Sequence, residues 1–119
     1  MLTDENIHEI VNKYVEKDED ILNTYGNIST WDTSNVTNMA ALFQNKIDFN
    51  DDITSLNTSN VTDMSYMFHN ARKFNRAIAC WDTSKVTNMN HMFDNTYLFN
   101  KNISDWDVSN VKTMTHMFY

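Results

Sequence analysis

From Ile28 onward the apolar residues of this chain return at a fixed spacing of 25 positions. Ile28, Ile53, Ile78 and Ile103 open four copies. Trp31, Leu56, Trp81 and Trp106 follow, then Val36, Val61, Val86 and Val111, then Met39, Met64, Met89 and Met114. Leu42, Met67, Met92 and Met117 each precede a phenylalanine, and Phe49, Phe74 and Phe99 close three copies. A period kept without insertion means that one copy cannot bury its apolar face alone and gains stability by stacking on its neighbour. Within a copy the pattern predicts a short strand over 34–37, a second extended stretch over 28–31, and one helical turn over 39–43, whose apolar residues fall at i, i+3 and i+4. Strands of successive copies would pair in parallel at about 4.8 Å. The expected fold class is an α/β repeat solenoid: short parallel strands and single helical turns in four stacked coils behind an N-terminal helical cap.

The first residues carry another period. Ile7, Ile10, Val11, Tyr14 and Val15 lie on one face of a helix predicted over 4–16. Thr3 suits its N-cap, and Asp4 and Glu5 suit the positive end of its dipole. A second short helix is predicted around 18–24, presenting Ile21, Leu22 and Tyr25. Gly26 would stop it, because a left-handed residue costs glycine little. The expected division is a cap over 1–27 and a solenoid over 28–119, with copies 28–52, 53–77, 78–102 and an incomplete 103–119, all one folded unit.

Charge narrows the partners. The net charge is −7, and residues 1–27 hold seven acidic side chains against two lysines. An acidic protein repels phosphate backbones, so nucleic acid is not expected as a partner. Proline is absent and glycine occurs once, which leaves no Gly-rich phosphate loop. Cys80, the single cysteine, excludes an intrachain disulfide and a thiolate metal site. No apolar run reaches membrane-spanning length, so no membrane insertion is expected. The start, Met1-Leu2-Thr3-Asp4-Glu5, lacks the basic and apolar regions of a signal peptide. The expected location is intracellular or in a virion, with the cell surface as the alternative if a leader has been removed.

Trp-Asp-Thr-Ser-Asn-Val-Thr-Asn-Met at Trp31 to Met39 carries a family likeness, together with the downstream Met-Phe pair and Phe-Asn. It resembles the BspA-type leucine-rich-repeat surface proteins over residues 28–119. The leader Leu2 to Ile7, followed by Tyr25 to Ile28, is similar to the cap of such proteins in large DNA viruses and algae. The resemblance implies a leucine-rich-repeat-like fold used for protein–protein contact, and it brings no catalytic residues.

The residues themselves point the same way. No His-Glu-x-x-His, phosphate loop or calcium-loop spacing is present, so no catalytic, cofactor-binding or metal residues are assigned and the chain is not expected to be an enzyme. Stacking needs the apolar columns to hold their identity. Several outward columns do not: Gln44, His69, Asp94 and Tyr119; Ile47, Arg72 and Tyr97; Asp48, Lys73 and Leu98. The candidate partner-binding residues are Ile47, Arg72, Tyr97, Lys73 and His69 on this ridge. Met117, Phe118 and Tyr119 join them at the fourth copy, where self-association through an open coil is a further expectation. Arg and Tyr combine area with directed hydrogen bonds, as binding hot spots do. The expected function is a non-enzymatic interaction or structural repeat protein, in its narrower form a cementing component of a large virus particle. The alternative is an exported bacterial-type adhesin or ligand-binding surface module.

Overall fold

A computed structural model of the chain describes residues 1–118. Helix α1 (Ile7–Val15) buries Ile7, Ile10, Val11 and Tyr14, the apolar face of the 3.6-residue period. It starts later than predicted, with Asn6 at the N-cap position; the Asn6 carboxamide turns back to accept the Thr3 N–H at 2.8 Å, so Thr3 does not cap the helix. Helix α2 (Glu19–Tyr25) is capped by Asp18, whose carboxylate accepts from the amides of Asp20 and Ile21. It stops at Gly26, where φ is +70°. Tyr14 ties this segment to the first copy: its ring meets Trp31 edge-on at 5.0 Å, and its hydroxyl accepts from the Ile28 amide.

The expected α/β repeat solenoid is overturned. The described residues hold two short α-helices and one 3-10 turn (Ile28–Thr30), and no β-strand. Only three isolated parallel bridges occur, Asn38 with Asp63, Asp63 with Asn88 and Asn88 with Thr113. The body measures 38 × 28 × 21 Å. The strand predicted over 34–37 is bent into a turn. The Asp32 carboxylate accepts the Ser34 amide at 3.0 Å, and the Val36 amide returns to the Thr33 carbonyl at 3.0 Å. Asn57, Asp82 and Asp107 bend their copies in the same way through Ser59, Ser84 and Ser109.

The helical turn predicted over 39–43 is likewise absent. Ala41 and Asn45 have φ of +59° and +63°, and Tyr66, Asn70, His91, Asn95 and His116 repeat the pattern. A left-handed residue at every fourth position prevents a helical ladder. The amides alternate instead. Those of Leu42, Gln44 and Lys46 bond back three residues, while those of Ala41, Phe43 and Asn45 reach the carbonyls of Ser65, Met67 and His69 in the next copy. Asn and His tolerate this backbone better than most residues, and no β-branched side chain occupies either column.

The 25-residue period is thus expressed in packing rather than in strands and helices. Phe43, Phe68 and Phe93 stack at 5.6 Å per step, and Phe49, Phe74 and Phe99 at 6.1 and 5.9 Å. Trp81 and Trp106 lie parallel at 6.5 Å. Val36, Met39, Phe43 and their copies through Met89 are almost fully buried. Each large side chain of this kind contributes roughly 1.5–3 kcal/mol before chain entropy opposes it.

The N-terminal segment supplies the first copy with what a preceding copy would give. Between copies, the Thr62 amide bonds to the Thr37 carbonyl; before the first copy, the Asp4 carboxylate accepts from the Thr37 amide (2.7 Å), the Thr37 hydroxyl (2.5 Å) and the Asn38 amide (3.1 Å). His8 Nε2 donates to the Ala40 carbonyl at 2.6 Å, the position that a turn amide fills between later copies.

Candidate protein-interaction surface

Residues 46–48, 71–73 and 96–98 lie between the left-handed Asn and the closing Phe of successive copies. The Lys73 amide bonds to the Ile47 carbonyl and the Leu98 amide to the Arg72 carbonyl, both at 3.2 Å. These bonds carry the outward side chains next to one another along one edge. The strip is anchored from beneath: Ala71 is buried, and the buried Thr96 donates through Oγ1 to the Phe68 carbonyl at 2.7 Å.

Four of the residues singled out from the sequence meet here. Ile47 and Tyr97 are 40% and 65% exposed, and the Arg72 guanidinium lies 5.7 Å from the centre of the Tyr97 ring. Such a pair holds the cation in place over the ring face. The Tyr97 hydroxyl donates to the Asn95 carboxamide. Lys73 pairs with Asp48 at 2.8 Å, which holds its ammonium above the usual lysine range. Both partners are exposed, so this pair adds little stability. Leu98, 57% exposed, extends the strip.

The other candidates fall elsewhere. His69 is half-buried: Gln44 Nε2 lies 3.0 Å from its Nδ1 and the Asp94 carboxylate 3.9 Å from its Nε2. His91 Nδ1 contacts the same carboxylate at 2.9 Å. Sequence phase alone joins His69 to Asp94; that His91 reaches Asp94 from three residues before it follows from the turn that the left-handed His91 opens and the Asp94 amide closes on the His91 carbonyl at 3.2 Å. His91 also stacks on Tyr66 at 4.6 Å and on His116 at 5.1 Å. Met117 is buried and therefore offers no contact surface, whereas Phe118 stacks on Phe93 at 5.2 Å and is largely exposed. Tyr119 lies outside the described residues. Among the described residues no group of three or more His, Cys, Asp or Glu side chains is placed to hold a metal ion. Cys80 is exposed.

One feature near this strip has no signal in the repeat pattern. A groove of about 820 Å³ lies between the N-terminal helices and the first copy, lined by the apolar Val15, Leu22, Ile47 and Phe49 and by the charged Lys17, Lys46, Asp48 and Asp51. Tyr14 also lines it, with its hydroxyl on Asp51 at 3.1 Å, and burial holds the phenol above its ordinary range. Leu22 and Ile47 are distant in sequence and in different periods, so only the docking of α2 beside the first copy brings them together.

The 25-residue copies repeat their packing and their turn hydrogen bonds from one to the next. The chain belongs to the family described as Mycoplasma protein of unknown function, DUF285, whose family model matches residues 9–119. That family is related to BspA-like repeat proteins. Among curated proteins and among solved structures nothing matches. Among the described residues no helix is long and apolar enough to cross a membrane.

Proposed function

We propose that the protein is a non-enzymatic interaction or structural repeat protein that engages a protein partner through the strip formed by Ile47, Arg72, Tyr97 and Leu98. The observation that supports this is the exposure of three large apolar side chains on a backbone fixed by hydrogen bonds between copies. Rigid placement lowers the ordering cost of binding, and Tyr with Arg is the pairing favoured at binding hot spots. The partner's identity would decide between a cementing role in a virus particle and a surface adhesin. The test is capture from the native source by immobilised protein, read by mass spectrometry, beside the Arg72→Ala/Tyr97→Ala double variant. A partner retained by the parent and lost by the variant is the expected result. Equal capture by a folded double variant would retire the proposal.

A further inference from the structure

The column of residues that opens each left-handed turn is a ladder of rings with one rung missing, at Ala41. We infer that the missing rung receives an arginine side chain of a protein partner, its guanidinium laid on the Tyr66 face that is turned toward the first copy and paired with the Asp63 carboxylate. This surface is separate from the strip of Ile47, Arg72 and Tyr97, and a contact here stands or falls independently of that one.

Ala41, Tyr66, His91 and His116 share one phase of the repeat and one backbone, with φ between +53° and +59°. Tyr66 stacks on His91 at 4.6 Å and His91 on His116 at 5.1 Å, with planes within 12° of parallel. His91 thus covers one face of Tyr66, and the other face looks toward the first copy. There the Ala41 amide bonds to the Ser65 carbonyl at 2.9 Å, so Ala41 lies one step from Tyr66 and offers only a methyl group. Tyr66 is 37% exposed, and His69 of the same copy meets it at a right angle with centroids 5.5 Å apart. Beyond Ala41 stands His8, whose Nε2 donates to the Ala40 carbonyl at 2.6 Å where a turn amide does so between later copies. A planar group over Ala41 would have Tyr66 one step away, about 4.8 Å, and His8 on its other side.

Charge selects the occupant. The second copy departs from its neighbours twice at this place: it has Asp63 where they have Asn38 and Asn88, and Tyr66 where the first has Ala41. Asp63 Oδ1 accepts the Ser65 amide at 2.9 Å, as Asn38 and Asn88 do for Ala40 and Asn90, so the turn holds an acid close to the ring. Asp4, on the amides of Thr37 and Asn38, adds a second carboxylate from the cap. No lysine or arginine occurs over 28–45 or 53–71, the residues of the first two copies on this side. Lys13 of α1 is paired with Glu9, and Lys85 of the third copy with the Asn60 carboxamide. The other titratable neighbours are His8, His69 and His91, the last two on the buried Asp94. A guanidinium meets both demands of such a place, because its plane stacks on the ring while its fork pairs with the carboxylate. An ammonium lacks the plane, and an aromatic side chain lacks the charge.

The test titrates the full chain, labelled with nitrogen-15, with a short Gly/Ser peptide carrying one arginine, at pH 8 and low salt. Control peptides carry lysine or tryptophan in its place. Saturable amide shifts centred on Ala41, Asp63 and Tyr66 are expected with the arginine peptide, and much weaker binding of both controls. Tyr66→Ala should weaken binding about threefold or more. Asp63→Asn keeps the acceptor that Asn38 and Asn88 supply in their copies, so it removes charge alone and should also weaken binding. Ala41→Tyr fills the rung with the residue that the second copy carries at the same left-handed phase; it should stay folded in a thermal melt and lose binding. Arg72→Ala/Tyr97→Ala, at the strip, should bind the peptide as the parent does. Equal affinity for the lysine or tryptophan peptide, shifts centred elsewhere, or indifference to Tyr66→Ala and Ala41→Tyr overturns the inference. A dimer in sedimentation that Tyr66→Ala abolishes would assign the slot to a second copy and overturn it as well.

Discussion

Asp4 tests whether the N-terminal segment completes the first copy or merely precedes it. Its carboxylate takes three hydrogen bonds, from the Thr37 amide, the Thr37 hydroxyl and the Asn38 amide. Asp4→Ala leaves those donors to water. Loss of a capping side chain of this kind costs about 0.5–2 kcal/mol, and because Asp4 is exposed to solvent the expected value is about 1 kcal/mol. The bond to the Thr37 hydroxyl, seconded by the two amides, lowers the carboxyl below its usual range in the folded protein. A depressed folded value means that the contribution is complete above the unfolded pKa, about 3.9, and is lost as the pH falls through the lower folded value. Urea unfolding followed by tryptophan fluorescence should show the variant less stable at pH 7 with an unchanged m-value. The gap should narrow below about pH 4 as the parent loses the charge. Asp4→Asn, which keeps an acceptor without the charge, should fall between the two. Equal stability of parent and Asp4→Ala at pH 7, or a gap that persists unchanged in acid, would refute this role.

The remaining expectations follow from packing and backbone geometry. Phe68 is fully buried among Phe43, Phe74 and Phe93, so Phe68→Ala should cost about 3–5 kcal/mol, whereas Phe118→Ala, which removes a largely exposed ring, should cost less than about 1 kcal/mol in the same urea assay. Gly26→Ala has room, since the nearest heavy atom to an added Cβ is Thr30 Oγ1 at 3.6 Å, but its backbone (φ +70°, ψ −161°) belongs to glycine; a loss of about 1–3 kcal/mol, read as a lowered Tm, is expected. Ala41→Asn places a residue tolerant of positive φ at a left-handed position and should raise stability by about 0.5 kcal/mol, which the same thermal melt would detect.

The sequence made some of this plain. The apolar columns, the two helices to within a few residues, and Gly26 as a stop are all legible from spacing. The ridge column of Ile47, Arg72 and Tyr97 was visible as the place where the repeat varies. What spacing could not convey is the sign of φ at Ala41, Tyr66, His91 and His116. Apolar residues at i, i+3 and i+4 read as a helical turn, yet left-handed residues within and just after that turn send alternate amides to the next copy, and neither a helix nor a strand results. The groove was hidden for a different reason. Its walls come from α2 and from the first copy, and no periodicity links Leu22 to Ile47.

The amides that reach from copy to copy also line up head to tail. From His8 the hydrogen bonds run to the Ala40 carbonyl, from the Ala41 amide to Ser65, from Tyr66 to Asn90 and from His91 to Thr115, with parallel files beginning at Met39, Phe43 and Asn45. Each peptide unit carries a dipole of about 3.5 D, and in these files all point one way. Polarisation along such a file strengthens every link in it. Two other files, Thr62 onto Thr37 with its copies and Lys73 onto Ile47 with its copy, run the opposite way, so the opposed files cancel in part and what survives is a weak net polarity, electron-rich toward the cap.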